Sequence, residues 1–192
     1  MTGIEPKRVT VLGGGSWGTA LGVLLARGGH RVVVWDHDPA VREDIAKRGL
    51  NERYLPGLEL PERMGATEEL ADALDGAEVL VMATPAAGVE DAAGRAAPMV
   101  PKGCRVVSAT KGLCPRTGRR MSQVLQETLG VGTERIVALS GPNLALEIVA
   151  EVPTATVVSG SSREATLGIL RLFSAPTLRV YSNPDTVGVE LG

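Results

Sequence analysis

Four glycines, one lysine and an acidic residue beside a histidine hold most of the chemistry available to this sequence. G-x-G-x-x-G is met by Gly13, Gly15 and Gly18, with Gly14 inside the motif. At that spacing Gly13 permits a sharp reversal, Gly15 lets backbone approach a diphosphate, and Gly18 lets a helix pack close to a strand. The unpaired N–H groups of the following helix, with its dipole, then face the anion. Asp36 stands 18 residues past Gly18. A carboxylate there can accept hydrogen bonds from ribose hydroxyls and would repel a 2′-phosphate, favouring NAD over NADP. His37 can flank the adenine or ribose, or meet a 2′-phosphate when protonated. Lys111, between Thr110 and Gly112, can pair with a phosphate or polarise a carbonyl oxygen. Ser140-Gly141-Pro142-Asn143 reads as the opening of a helix through Val149, a second N–H site for a phosphate or carboxylate. Thr84-Pro85 fixes a rigid turn over which a nicotinamide or diphosphate can lie. Each has a plainer alternative: an ordinary βα turn, a helix cap at Asp38, a solvated lysine.

The elements that must position these residues follow from the hydropathy pattern. Val9, Val11 and Leu12 suit a buried parallel strand, and Trp17, Leu21, Leu24 and Leu25 then fall on one helical face. Further strands are expected at 31–35, 79–83, 105–109, 136–139, 154–158 and 178–181. Helices are expected from Pro39 to about Arg48 with Asp38 as N-cap, from a Thr67 cap to Leu74, and over 86–97, 117–129 and 163–173. Residues 51–61 read as a loop, and His30, after Gly28-Gly29, as a surface turn residue. Strands alternating with helices predict an α/β fold, a doubly wound and mostly parallel sheet of the Rossmann type. Ligands then lie beyond the carboxyl ends of the strands, where loops 13–18, 36–38, 84–86, 110–112 and 140–143 converge.

Composition narrows the function classes. The chain has 192 residues, a formal net charge of −2, and only two Trp, two Tyr and one Phe, so aliphatic residues must fill the core. There is no basic field for nucleic acid and no apolar run long enough to span a membrane. MTGIEPKR has no apolar segment of the secretory type. Cys104 and Cys114 read as reduced thiols, and with His30 and His37 they form no metal-ligand spacing. A cytoplasmic protein is expected. The glycine-rich turn lacks the G-K-[ST] of a P-loop, which disfavours a kinase reading.

Several segments in order, GGGSWGTAL, VVVWDHDP, LPG, ATKGL, SGPNLALE and VYSNPDTVGVELG, resemble bacterial NAD(P)-dependent glycerol-3-phosphate dehydrogenase over essentially the whole chain. The resemblance implies interconversion of dihydroxyacetone phosphate and sn-glycerol 3-phosphate, the precursor of glycerophospholipids, with NAD or NADP as cofactor. By that likeness Ser16, Trp17 and His37 contact the dinucleotide, alongside Gly13, Gly15, Gly18, Asp36 and Pro85. Lys111 touches cofactor and substrate, Gly141 and Asn143 line the substrate, and Ala145 lies against the cofactor. Asn143 stands where relatives often have Ser or Thr, and Asp36 where they often have a small or basic residue. The family's catalytic lysine lies beyond Gly192, so no catalytic residue is assigned. Residues 1–182 are expected to form the dinucleotide-binding domain and 183–192 to begin the connection to a helical substrate domain. Catalysis by these residues alone is expected to be lost or very weak, and the surface meant for that domain to favour association, such as a homodimer. The alternatives are a non-catalytic NAD(P)-binding module and a related β-hydroxyacid dehydrogenase or ketopantoate reductase.

Overall fold

The computed structural model describes residues 5–192; Met1–Ile4 of the polar N-terminal octet lie outside the described residues. Strands β1 (Arg8–Leu12), β2 (Arg31–Trp35), β3 (Met64–Ala66), β4 (Val79–Met82), β5 (Arg105–Ser108) and β6 (Ile136–Ser140) are parallel, in the order β3-β2-β1-β4-β5-β6. The order reverses between β1 and β4, the switch point of a doubly wound sheet. β7 (Thr154–Gly160) then pairs antiparallel with β6, and β8 (Leu178–Ser182) runs parallel to β7.

Alternation along each strand divides the core into two layers. Val9, Val11, Val79 and Val81 face α1 (Ser16–Arg27), α6 (Ala145–Val149) and α7 (Arg163–Phe173). Leu12, Leu80, Met82 and Val106 face α3 (Leu70–Leu74), α4 (Val89–Ala96) and α5 (Met121–Leu129). Because both faces are covered, the strands read as apolar runs. α1 is buried along its length from Gly18 to Ala26, since α6 covers the side that the amphipathic pattern leaves open. α2 (Pro39–Glu43) is capped by the Asp38 side chain, which accepts the Ala40 N–H at 2.9 Å, and continues as a wider π turn through Arg48.

Several boundaries differ from the sequence expectation for local reasons. β3 is a three-residue edge strand with a central glycine, too short and too poor in β-branched residues to stand out. Helix α3 starts at Leu70 with Glu69 at the cap position, not from Thr67. α5 starts at Met121 rather than Thr117, because Gly118 takes a left-handed φ of 66° and donates its N–H to Cys114. The helix expected from Ser140 begins only at Ala145. α8 (Thr186–Leu191), which the pattern did not reveal, is capped by Asp185 and packs on β6 and β7. Its Glu190 carboxylate accepts the Ser122 N–H at 2.8 Å and the Ser122 hydroxyl at 2.7 Å, and it pairs with Arg120.

His30 is buried, not a surface turn residue. Gly28 and Gly29 close α1 so tightly that the next residue already lies beside β1, where His30 Nδ1 accepts the Lys7 N–H at 3.1 Å. Burial lowers the imidazole pKa from its ordinary 6.5, against the pull of Glu78 and with the push of Lys7. The fold thus favours neutral imidazole. As pH falls through 6.5, the unfolded chain takes up this proton before the folded one does, and stability is lost. Thermal melts are expected to be level for this group above 6.5 and to fall below it. His30→Gln should flatten the part of the acid limb just under that value; an unchanged slope would remove His30 as its cause.

Candidate functional site

At the switch point the chain ends of β1, β2, β4, β5 and β6 surround a cleft of about 980 Å³. Its floor is the glycine turn. Gly13 has φ of 108°, and a Cβ there would lie 2.8 Å from the Ala83 carbonyl at the end of β4. Gly18 is more constrained, since its Cβ would sit 1.9 Å from the Gly13 carbonyl oxygen. At Gly15, by contrast, a Cβ would meet nothing within 4 Å, and its backbone lines the cleft. A turn tight at both ends and open in the middle is a cradle for a group that must touch main chain.

Ser16, Trp17, Asp36, His37, Pro85, Lys111, Asn143 and Ala145 all line this one cleft. Trp17 reaches from the first turn of α1 to the end of β5, donating its indole N–H to the Ala109 carbonyl at 3.1 Å. Asp36 is only 7% exposed, and its carboxylate accepts the Gly14 N–H at 2.6 Å and the Asp38 N–H at 2.9 Å. It therefore braces the glycine turn, a task the sequence did not reveal, and Oδ2, which accepts only the Gly14 N–H, keeps a second lone pair. The exposed His37 ring approaches the same carboxylate at 3.1 Å.

On the opposite wall the Lys111 ammonium donates to the Gly141 carbonyl at 2.6 Å, joining the loops after β5 and β6. The segment 140–143 is not a helix opening, so the expected second cradle of helical N–H groups is not formed there. Asn143 instead turns its NH₂ toward β7, donating to Thr154 Oγ1 at 3.0 Å and to the Ala155 carbonyl at 2.8 Å. Gly141 lies beside it, where a Cβ would come within 2.8 Å of Asn143 Oδ1. Among the described residues Asn143 Oδ1 has no donor, and the atom is buried against Gly141.

Several wall residues escaped the sequence reading, Tyr54, Trp35 and Arg95 among them. Tyr54 belongs to the loop 51–57, which folds over the glycine turn so that Ser16 Oγ donates to the Tyr54 carbonyl at 3.2 Å. Trp35 and Arg95 form the far end of the cleft, with the Arg95 guanidinium 4.7 Å from the Trp35 ring centroid. The Y-L-P-G turn and the tryptophan closing β2 were the available signals. The two thiols take no part in the cleft lining. Burial pushes the Cys104 thiol up to about 11, while the Thr117 hydroxyl and the Arg116 and Thr117 N–H groups hold Cys114 below its ordinary value. Among the described residues no cluster of three or more His, Cys, Asp or Glu could hold a metal ion.

A doubly wound sheet with an open glycine cradle at its switch point is a dinucleotide-binding domain of the Rossmann type. Residues 8–166 match the family described as NAD-dependent glycerol-3-phosphate dehydrogenase N-terminus, and the chain belongs to that family. It is 40% identical over 187 residues to a glycerol-3-phosphate dehydrogenase (NAD(P)+) of Geobacillus thermodenitrificans, covering 97% of this chain and 54% of the relative. Identity to the enzyme of the same description from Moorella thermoacetica is 42% over 186 residues, with 97% and 55% covered. The crystal structure of a glycerol-3-phosphate dehydrogenase from Coxiella burnetii superposes with a TM-score of 0.90 at 31% identity, over 96% of this chain and 56% of that one. The chain spans about half the length of the curated relatives it matches. No described helix is long and apolar enough to cross a membrane.

The glycine geometry separates stability from access. Gly15 has φ of −67° and ψ of 179°, open to any residue, so Gly15→Ala should fold within about 1 kcal/mol of wild type. Gly18→Ala drives a methyl into the Gly13 carbonyl and should cost about 3 kcal/mol. Urea unfolding of both variants checks the contrast; equal losses would mean the turn relaxes around residue 18.

Proposed function

We propose that this chain is the cofactor half of a cytoplasmic NAD(P)-dependent glycerol-3-phosphate dehydrogenase, interconverting dihydroxyacetone phosphate and sn-glycerol 3-phosphate for glycerophospholipid synthesis. The observation that carries this reading is the unobstructed Gly15 backbone at the floor of a cleft whose other wall presents the Lys111 ammonium. Within it, residues 1–182 form the dinucleotide-binding domain and 183–192 begin the connection to a helical substrate domain, in keeping with relatives about twice as long.

The cofactor, when bound, supplies or accepts the hydride. This chain's residues bind and orient. Gly13, Gly15 and Gly18 shape the turn, and the first N–H groups of α1 take the diphosphate. Asp36 and His37 meet the adenosine ribose, while Ser16, Trp17, Pro85 and Ala145 wall the dinucleotide. Lys111 spends one of its three donors on Gly141 and keeps two for the substrate phosphate or its carbonyl oxygen. Gly141 and Asn143 line the substrate. The proton for the carbonyl oxygen comes from the lysine that the family carries beyond Gly192. Association into a homodimer belongs to the same reading, favoured by the exposed side chains of Leu144, Leu146, Val187 and Leu191.

Titration with NADH should quench Trp17 and give saturable binding, weakened at least about tenfold by Gly15→Ala, whose methyl stands between diphosphate and amide. In a version that includes the second domain, Lys111→Ala should raise KM for dihydroxyacetone phosphate by about tenfold or more. An absence of binding with both NADH and NADPH would overturn the reading.

A further inference from the structure

We infer that Asn51 aims the Gly15 amide into the cleft and is a positioning residue for dinucleotide binding, an inference that rests on the cofactor reading above. Asn51 is 1% exposed and belongs to no helix or strand. Its Nδ2 donates to the Gly14 carbonyl and to Thr19 Oγ1, both at 2.8 Å. Thr19 Oγ1 donates in turn to the same Gly14 carbonyl at 3.1 Å. Both lone pairs of that oxygen are thus taken inside the protein.

The Gly14 carbonyl and the Gly15 N–H belong to one planar trans peptide and point in opposite directions. Holding the carbonyl inward against Asn51 therefore turns the Gly15 N–H outward, at a residue whose backbone lines the cleft. The preceding peptide is held too, since Asp36 accepts the Gly14 N–H at 2.6 Å. Side chains from two separate loops thus fix the planes on both sides of Gly14. A run of three glycines has no side chain of its own to settle these orientations. The Asn51 carbonyl also accepts the N–H groups of Tyr54 at 3.1 Å and Leu55 at 2.8 Å, building the turn whose Tyr54 carbonyl receives Ser16. One asparagine thereby ties the loop 51–57 to the cradle it overlies.

The test is NADH and ADP affinity of the 192-residue chain, read by fluorescence and calorimetry, with ¹H–¹⁵N spectra of the glycine amides. Asn51→Leu keeps the volume and removes the donors without adding charge; Thr19→Val keeps the shape and removes one arm of the bridge. Both ligands should bind about tenfold more weakly to Asn51→Leu and about threefold more weakly to Thr19→Val. The Gly15 amide resonance, displaced by ADP in wild type, should move less in both variants. Ile169→Ala, in buried α7 and outside the cleft lining, should lower Tm while leaving both affinities unchanged. Wild-type affinity in both bridge variants would overturn the role of Asn51 and leave the cofactor reading standing. An affinity loss in Ile169→Ala matching its fall in Tm would also overturn it, since Asn51 would then act only through stability. Should Asn51→Leu fail to fold, Thr19→Val decides alone. No binding by the wild type would overturn the cofactor reading and the inference together.

Discussion

The structure depends on a close passage of three backbone segments. The carbonyl of Gly13 occupies the space where residue 18 would carry a Cβ, at 1.9 Å, and a Cβ on Gly13 would come within 2.8 Å of the Ala83 carbonyl. The end of β1, the first turn of α1 and the end of β4 therefore meet with no side chain between them. Steric exclusion, not attraction, selects glycine at these positions. Because nothing fills the junction, the start of α1 lies directly above the point where the strand order reverses. The cleft follows from that, as the loops after β1 and β4 leave in opposite directions.

Backbone brought this close must also be held, since polar groups taken from water are costly when unpaired. Asp36 and Asn51 meet the requirement from opposite sides of Gly14, one by accepting its N–H and the other by donating to its carbonyl. The Asp36 carboxylate is nearly buried, which would be expensive without partners. Two backbone N–H groups offset that cost, and the negative charge is left at the rim of the cleft. The same group thus serves the fold and sets the electrostatics of its end of the cleft.

Much of this was legible in the chain because its signals are short and local. The glycine spacing placed the cradle, β-branched runs placed most parallel strands, and Asp38-Pro39 placed a helix start. What could not be read depends on distant partners. His30 follows two glycines and looks like turn, yet its burial is decided by β1 lying beside it. Asn51 sits in a polar loop, and nothing within that loop shows that its amide meets a carbonyl 37 positions away. The three residues of β3 acquire their strand only from the edge of β2. Most cleft residues named from the sequence do converge, although Gly18 and Gly141 stand outside the lining, while Trp35, Tyr54 and Arg95 join it from β2, the loop 51–57 and α4, which only tertiary packing brings together.

The antiparallel strand explains why the segment after β6 was misread. In a parallel βαβ unit, the turn after a strand leads directly into a helix whose N–H groups face the ligand. Here β7 returns beside β6 in the opposite sense and supplies partners that a parallel neighbour would not. Thr156 Oγ1 donates to the Ser140 carbonyl at 2.9 Å, and Asn143 is drawn to Thr154 and Ala155. These bonds tie residues 140–143 to β7, and the helix begins only at Ala145. Lys111 then finds a carbonyl, not a ring of N–H donors, across the cleft. The two walls are accordingly unlike: main-chain donors at the glycine turn, and opposite them the Lys111 ammonium held on the Gly141 carbonyl.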